Sequence, residues 1–212
     1  MFLSRVKIDR DNRRKIRDLS HLGAYHNWVE GAFPEEFDEE IRSRKLWRVD
    51  FLKEIPYLLL VSETKPDIEK LERYGIKESV EIKSYDSFLE KLKKGMRARF
   101  RVKLNPVVSK SDGTLGRGKI IPLVSDEDQI KFLMELSEKN GFKLLPNDFN
   151  IVSKGYEVLK QPKKRPINIV MAEYEGILTI TDLEKFLKVL KKGIGKKKAY
   201  GFGMMTVIPY EE

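Results

Sequence analysis

Arg97-Ala98-Arg99-Phe100-Arg101-Val102-Lys103-Leu104 is the stretch on which the fold reading turns. Every odd position is cationic and every even position is apolar. A period of two is that of a β-strand, so the charges share one face and the apolar groups the other. Like charges side by side on a sheet repel, and the pattern therefore predicts that the charged face meets phosphates. Asn105-Pro106 ends the strand, because the residue before proline is pushed out of regular pairing and proline lacks a donor.

Working outward, Phe2 to Ile8 reads as a first strand. A basic, helix-favouring segment at Asn12 to Arg17 follows, and Leu19, Leu22, Val29 and Phe33 recur at helical spacing up to Pro34. Leu46 to Leu52 and Tyr57 to Val61 read as two strands separated by Ile55-Pro56. Asp67 to Tyr74 and Asp86 to Lys93 read as short helices, the second with Asp86 at its N-cap and Gly95 beyond its end. Past Asn105 come a strand and a glycine-rich excursion at Ser111 to Gly118. Ser125 caps a helix whose first turn holds Asp126, Glu127 and Asp128. Strands follow at Phe142 to Leu145, Ile151 to Leu159 and Ile167 to Ile180; then a helix capped by Thr181 or Asp182 runs to Lys192, and a strand covers Gly203 to Pro209. Both halves thus run strand, helix, two strands, helix, strand. The expected class is α+β, with two tandem ferredoxin-like (RRM-like, βαββαβ) domains. The first spans 1–104 and carries the helix with the best catalytic candidate. The second spans 105–212 and carries a basic hairpin and a glycine-rich loop.

Composition narrows the chemistry. The 212 residues hold 42 Lys plus Arg against 33 Asp plus Glu, a formal charge of +9. That excess favours an anionic partner, nucleic acid above all, while 35% charged residues also suits a heat-adapted surface. With no cysteine, a thiol nucleophile, a disulfide scaffold and Cys-ligated zinc are excluded. Arg5, Lys7, Asp9 and Arg10 interrupt any signal-peptide apolar region, and the longest apolar run, Pro56 to Val61, is far short of a membrane span. A cytoplasmic location without membrane contact is expected.

Histidine is the scarcest polar residue, present only as His21 and His26. On one helix these would stand roughly 140° apart and could not share a metal; no HExxH pattern exists, so neither metal nor cofactor is expected. The acids Glu35, Glu36, Asp38, Glu39 and Glu40 have no second cluster to pair with and read as a solvated segment. His26 lies on or beside the apolar stripe of its helix. It is either a histidine packed at the core edge or a proton-transfer group, since imidazole titrates near neutrality. RNA carries its own nucleophile, so its cleavage needs alignment, proton transfer and charge stabilisation but no metal. Two basic loops offer grip: Lys160, Lys163, Lys164 and Arg165 around Pro162, as at a hairpin tip, and Lys196, Lys197 and Lys198 in the glycine-rich run Gly193 to Gly203. With Arg99, Arg101 and Lys103 they form the expected RNA-binding set. About 5 phosphate contacts would give a log-affinity against log-salt slope of roughly −3 to −5.

Four segments in this order carry a family resemblance. They are Met1-Phe2-Leu3-Ser4-Arg5-Val6, Arg99 through Pro106, Glu175-Gly176-Ile177-Leu178-Thr179-Ile180, and Gly193-Ile194-Gly195 through Gly201-Phe202-Gly203. The sequence resembles the CasE family, the CRISPR RNA-processing endoribonucleases of type I-E systems within the RAMP superfamily. The resemblance implies tandem ferredoxin-like domains and metal-independent cleavage at the 3′ base of a repeat stem-loop. It also implies a 2′,3′-cyclic phosphate product and retention of the mature CRISPR RNA as a Cascade subunit. The family's catalytic histidine falls on His26. Where some relatives place a tyrosine three residues earlier this chain has Gly23, and Tyr25, the nearest phenol, is carried as a second catalytic candidate. The family's basic hairpin falls on Lys160 to Arg165. The rival reading is a catalytically silent RNA-binding RAMP subunit of a CRISPR complex.

Overall fold

The computed structural model describes residues 1–110, 113 and 118–210, so the glycine-rich excursion at Ser111 to Gly118 lies, but for Gly113 and Gly118, outside the described residues. The chain runs β1 (Phe2–Lys7), α1 (Arg13–Ile16), α2 (Leu22–Gly31), α3 (Pro34–Asp38), β2 (Leu46–Leu52), β3 (Ile55–Ser62), α4 (Ile68–Leu71), β4 (Glu81–Ser84) and α5 (Asp86–Leu89). It continues with β5 (Arg97–Leu104), β6 (Val107–Lys110), β7 (Lys119–Pro122), α6 (Asp126–Lys139), β8 (Phe142–Lys143), β9 (Phe149–Leu159), β10 (Ile167–Ile180), α7 (Leu183–Lys192) and β11 (Met205–Pro209).

Of the two larger sheets one has the order β2-β3-β1-β4 and the other β11-β5-β10-β8, with β9 also paired to β10, while β6 and β7 form a separate two-stranded sheet. All these pairings are antiparallel. In both larger sheets, the first strand of the unit lies between its third and fourth, which is the ferredoxin-like order, and the expected fold class holds.

The placement of the deciding strand differs from expectation. The sequence pattern has Arg97 to Leu104 closing the first unit, but the strand opens the second, between β10 and β11. The first sheet is closed instead by β4, four residues with one apolar side chain and therefore no alternation to read. The strand goes where its apolar face can be buried: Ala98, Phe100, Val102 and Leu104 are all covered, in one cluster with Tyr174, Leu178, Phe186 and Leu190. The chain thus passes from one sheet to the other between Ser84 and Arg97. Two smaller expectations also shift. Tyr85, not Asp86, stands at the N-cap of α5, and Asp86 accepts from the N-terminal ammonium instead, at 2.7 Å. Ile55-Pro56 lies inside β3 because Pro56 sits opposite Phe51 on a strand that still pairs through Tyr57.

The two units share their cores. Leu22, Trp28, Val29 and Trp47 of the first pack with Leu159, Ile169 and Phe202 of the second. The bases of the β9–β10 hairpin and of the glycine-rich loop are therefore fixed against α2. A polar clamp adds to this. Arg48 on β2, 1% exposed, binds Asp50 through Nε at 2.5 Å and Nη2 at 2.6 Å. Its Nη1 donates to the carbonyls of Arg101 and Met204, each at 2.8 Å, and its Nη2 to the Thr206 hydroxyl. No described helix is long and apolar enough to cross a membrane.

Candidate active site

α2 starts later than its apolar spacing predicts. His21 has an extended backbone, and its Nδ1 accepts from the Ala24 amide at 3.2 Å, capping the helix. Because a ring nitrogen that accepts must be unprotonated, this fixes His21 as neutral with its proton on Nε2. Burial, and then the charge of Lys160, lower its pKa. His21 lies outside the helical turns, so the pair is not spaced by helical geometry; the two histidines nevertheless face different cavities. His21 lines one of about 480 Å³ with Arg17, Arg73 and Lys160. His26 lines another of about 930 Å³. Asn27 contributes to both.

Leu22, Trp28 and Val29 are buried against the first sheet, which leaves His26 on the flank of α2 facing the second cavity. The other walls of that cavity carry Glu30, Arg42, Ser43, Arg44, Glu63, Lys192 and Ala199. The His26 side chain is 28% exposed, and its Nδ1 lies 3.9 Å from Glu30 Oε1. The ring sits 5.1 Å from that of Tyr200 at an interplanar angle of 57°. Tyr200 in turn accepts a hydrogen bond at 2.9 Å from Gln161 Nε2, at the hairpin's start. His26 thus stands, partly exposed, where α2, the 40–45 segment, the end of α7 and the glycine-rich loop converge.

The Tyr25 ring points elsewhere. It stacks on Trp47 at a centroid distance of 5.6 Å and does not line the His26 cavity. Burial, with the charge of Glu157, raises its pKa, so at neutral pH the phenol keeps its proton and could donate but not act as a base. At Gly23 an added Cβ would fall 2.4 Å from the Lys160 carbonyl oxygen. The hairpin backbone occupies the space a side chain would need there.

The basic residues divide into three groups. On β5, Arg101 stands opposite Glu175 and Lys103 opposite Glu173. Arg101 pairs with Glu173 at 2.7 Å and Glu175 at 3.0 Å, and Lys103 with Glu157. Carboxylates of the same sheet thus offset much of the repulsion that the pattern assigned to phosphates. Arg99 is exposed, its guanidinium 5.3 Å from the Tyr210 ring centroid. In the hairpin, Lys160, Lys163, Lys164 and Arg165 are all exposed. In the glycine-rich loop Lys196 and Lys197 are exposed, but half-buried Lys198 donates to the carbonyls of Lys192 at 3.3 Å and Gly193 at 3.0 Å. It closes the end of α7, and burial lowers its pKa with help from Arg44 and Lys188.

The acidic segment needs a correction. Glu36, expected to be solvated, is 8% exposed. It accepts from Lys45 Nζ at 2.5 Å, from the amide and hydroxyl of Ser43 and from the Thr64 hydroxyl. Burial raises its carboxyl, but these donors win and hold it at about 2. They do so because α3 folds the segment back, which charge clustering alone could not reveal. The pattern also missed Arg42, Arg44, Glu30 and Tyr200. The run Arg42-Ser43-Arg44-Lys45 before β2 and the four-residue step from His26 to Glu30 were the available signals. Among the described residues no group of three or more His, Asp and Glu could hold a metal ion.

Comparisons with known proteins identify the family. The family model described as CRISPR associated protein matches residues 1–209. Over 221 residues the chain is 27% identical to the CRISPR-associated endoribonuclease Cse3 of Thermus thermophilus, covering 99% of this chain and all of the relative. The fold is similar to that of CRISPR endoribonuclease Cse3 bound to a 19-nucleotide RNA, with a TM-score of 0.82 and 26% identity over 99% of this chain and 100% of that one. It is also similar to Thermus thermophilus Cse3 bound to an RNA representing a pre-cleavage complex, with a TM-score of 0.80, 26% identity and 98% of each chain covered.

Proposed function

Starting from the fact that this chain belongs to the family of CRISPR-associated proteins, we propose that it is a metal-independent endoribonuclease acting on precursor CRISPR RNA. It binds the repeat stem-loop and cuts at the 3′ base of the stem. The relative named Cse3 is called an endoribonuclease and has been captured with RNA in a pre-cleavage complex. The observation that carries the reading is His26, half-open on a cavity whose other walls bring up Arg42, Arg44 and Lys192.

In the proposed reaction the 2′-hydroxyl upstream of the cut loses its proton and attacks the adjacent phosphorus. The P–O5′ bond breaks, leaving a 2′,3′-cyclic phosphate, and the departing 5′-oxygen takes up a proton. His26 takes the proton from the first of these oxygens, supplies one to the second, or does both. Arg42 and Arg44, which line the same cavity, offset the extra negative charge of the pentavalent phosphorane. Lys192 already faces Glu63 across the same cavity. Lys160, Lys163, Lys164 and Arg165 grip the end of the stem, with Lys196 and Lys197 on the strand beyond. Arg99, Arg101 and Lys103 form a secondary contact, since two of the three are engaged by carboxylates. Tyr25 supports α2 through its stack on Trp47. The product stays bound as the protein takes its place in the Cascade complex.

The test is cleavage of a repeat hairpin in excess chelator, with analysis of both new ends. A 2′,3′-cyclic phosphate and a 5′-hydroxyl are expected. A requirement for magnesium or manganese, or continued cutting after 2′-deoxy substitution upstream of the cut, would refute the mechanism. His26→Ala should nearly abolish cutting and leave hairpin affinity within a few-fold; binding without any cleavage by the parent protein would favour the silent subunit.

A further inference from the structure

His26 and Glu30 are four residues apart on α2 and therefore share a face. The His26 Nδ1 atom is buried and has no hydrogen-bond partner. Glu30 Oε1 lies 3.9 Å from it, too far for a hydrogen bond but within ion-pair range. The other carboxylate oxygen of Glu30 is held by Lys45 Nζ at 3.4 Å. Lys45 is itself fixed: its side chain is 1% exposed, it meets Glu36 at 2.5 Å, and its ammonium lies 4.8 Å from the Phe33 ring centroid. Counting charge, Glu36 and Glu30 contribute two negatives and Lys45 one positive. The network behind His26 therefore has one negative charge unmatched, and it is aimed at a buried ring nitrogen.

We propose that Glu30 is the positioning residue for His26: its charge draws the ring proton to Nδ1, leaves Nε2 facing the RNA, and balances the imidazolium formed during cleavage. This rests on the reading of His26 as the proton-transfer group. In the resting state Nδ1 carries the ring proton and the Nε2 lone pair points into the cavity, ready to accept the 2′-hydroxyl proton. On accepting it, the ring gains a positive charge, and a small rotation closes the Nδ1–H to Oε1 gap to hydrogen-bond length. The proton then leaves from Nε2 to the 5′-oxygen and the gap relaxes. The logic is that of a carboxylate orienting a catalytic imidazole without itself taking the proton. Charge from the other elements makes such a partner useful. Arg42 and Arg44 on the 40–45 segment and Lys192 at the end of α7 all oppose an imidazolium, while Glu63 after β3 is engaged by Lys192. Tyr200 packs on the ring. Lys45 keeps Glu30 from swinging away to pair with those cations.

Three measurements on the full chain test this. Glu30→Ala should slow single-turnover cleavage of the repeat hairpin by about 10- to 100-fold and leave affinity for an uncleavable 2′-deoxy hairpin within a few-fold. Glu30→Gln, which keeps an acceptor for Nδ1 but removes the charge, should lose less, and its pH–rate curve should be displaced to lower pH. The ¹⁵N spectrum of the His26 ring should report the Nδ1–H tautomer in the parent and a loss of that preference in Glu30→Ala. Retained hairpin affinity shows that a variant is folded, and Lys45 keeps Glu36 in either one. Parental rates and an unmoved pH–rate curve in Glu30→Gln, while His26→Ala is dead, would overturn the role of Glu30 alone. Full activity in His26→Ala would instead overturn the proposed function beneath it.

Discussion

Replacing Glu36 with glutamine removes the charge to which Lys45, Ser43 and Thr64 all donate, and the cost can be worked out from the structure. Burial by itself would raise this carboxyl, but the four donors bring it from 4.5 to about 2. At about 1.4 kcal/mol per pH unit, a shift of that size amounts to roughly 3 kcal/mol of folding stability. The sign follows from the direction. A carboxyl that holds its proton more weakly when folded stabilises the protein fully above its unfolded value of 4.5, and that contribution fades as pH falls toward about 2. Glu36→Gln should therefore unfold in urea with a free energy lower than the parent's by roughly 3 kcal/mol at neutral pH. The gap should narrow below pH 4.5 and nearly close near pH 2. The 40–45 segment that carries Arg42 and Arg44 is tied down through Ser43 and Lys45, so cleavage should slow even where the variant is fully folded. A deficit that stays constant down to the acid end, or one below about 1 kcal/mol at neutral pH, would refute the reasoning, because the charge would then contribute little beyond what the amide supplies.

Three further outcomes are expected. Arg48→Met strands the Asp50 carboxylate and two carbonyls in the seam between the sheets, and should cost about 3–5 kcal/mol by urea unfolding; Arg48→Met with Asp50→Leu should recover part of that loss, and a single variant within about 1 kcal/mol of the parent would deny the clamp its role. Replacing Lys163, Lys164 and Arg165 with alanine should weaken hairpin RNA binding and make the log-affinity against log-salt slope shallower by about 2 to 3; an unchanged slope would place the stem elsewhere. His21 has a pKa lowered by burial and by Lys160, so the stability it gives is present above its unfolded value of 6.5 and lost as pH falls through its lower folded one; His21→Ala should cost about 1 kcal/mol at neutral pH and less in acid, as thermal unfolding across pH would read.

The alternation at Arg97 to Leu104, the capped helices at Ser125 and Asp182, and the long β10 run were all legible, because each depends on near neighbours in sequence. Periodicity, caps and proline positions report local backbone preference, and the ferredoxin-like order followed from them. His26 was singled out as a candidate by scarcity and by the family resemblance. What the order of residues could not decide was which sheet β5 joins. That is set by whose apolar partners cover Phe100 and Val102, and β4, the strand that took the expected place, has too few apolar residues to announce itself. The charges on β5 looked like a phosphate face because Glu157, Glu173 and Glu175 lie more than 50 residues away in sequence and come beside them only once the sheet forms. The surroundings of His26 were hidden for the same reason. α2, the 40–45 segment, the end of α7 and the glycine-rich loop meet only because the two cores interlock through Trp47, Leu159, Ile169 and Phe202. Local sequence determined which elements form and where the imidazole sits on its helix; the burial of distant apolar faces against one another decided which charges surround it.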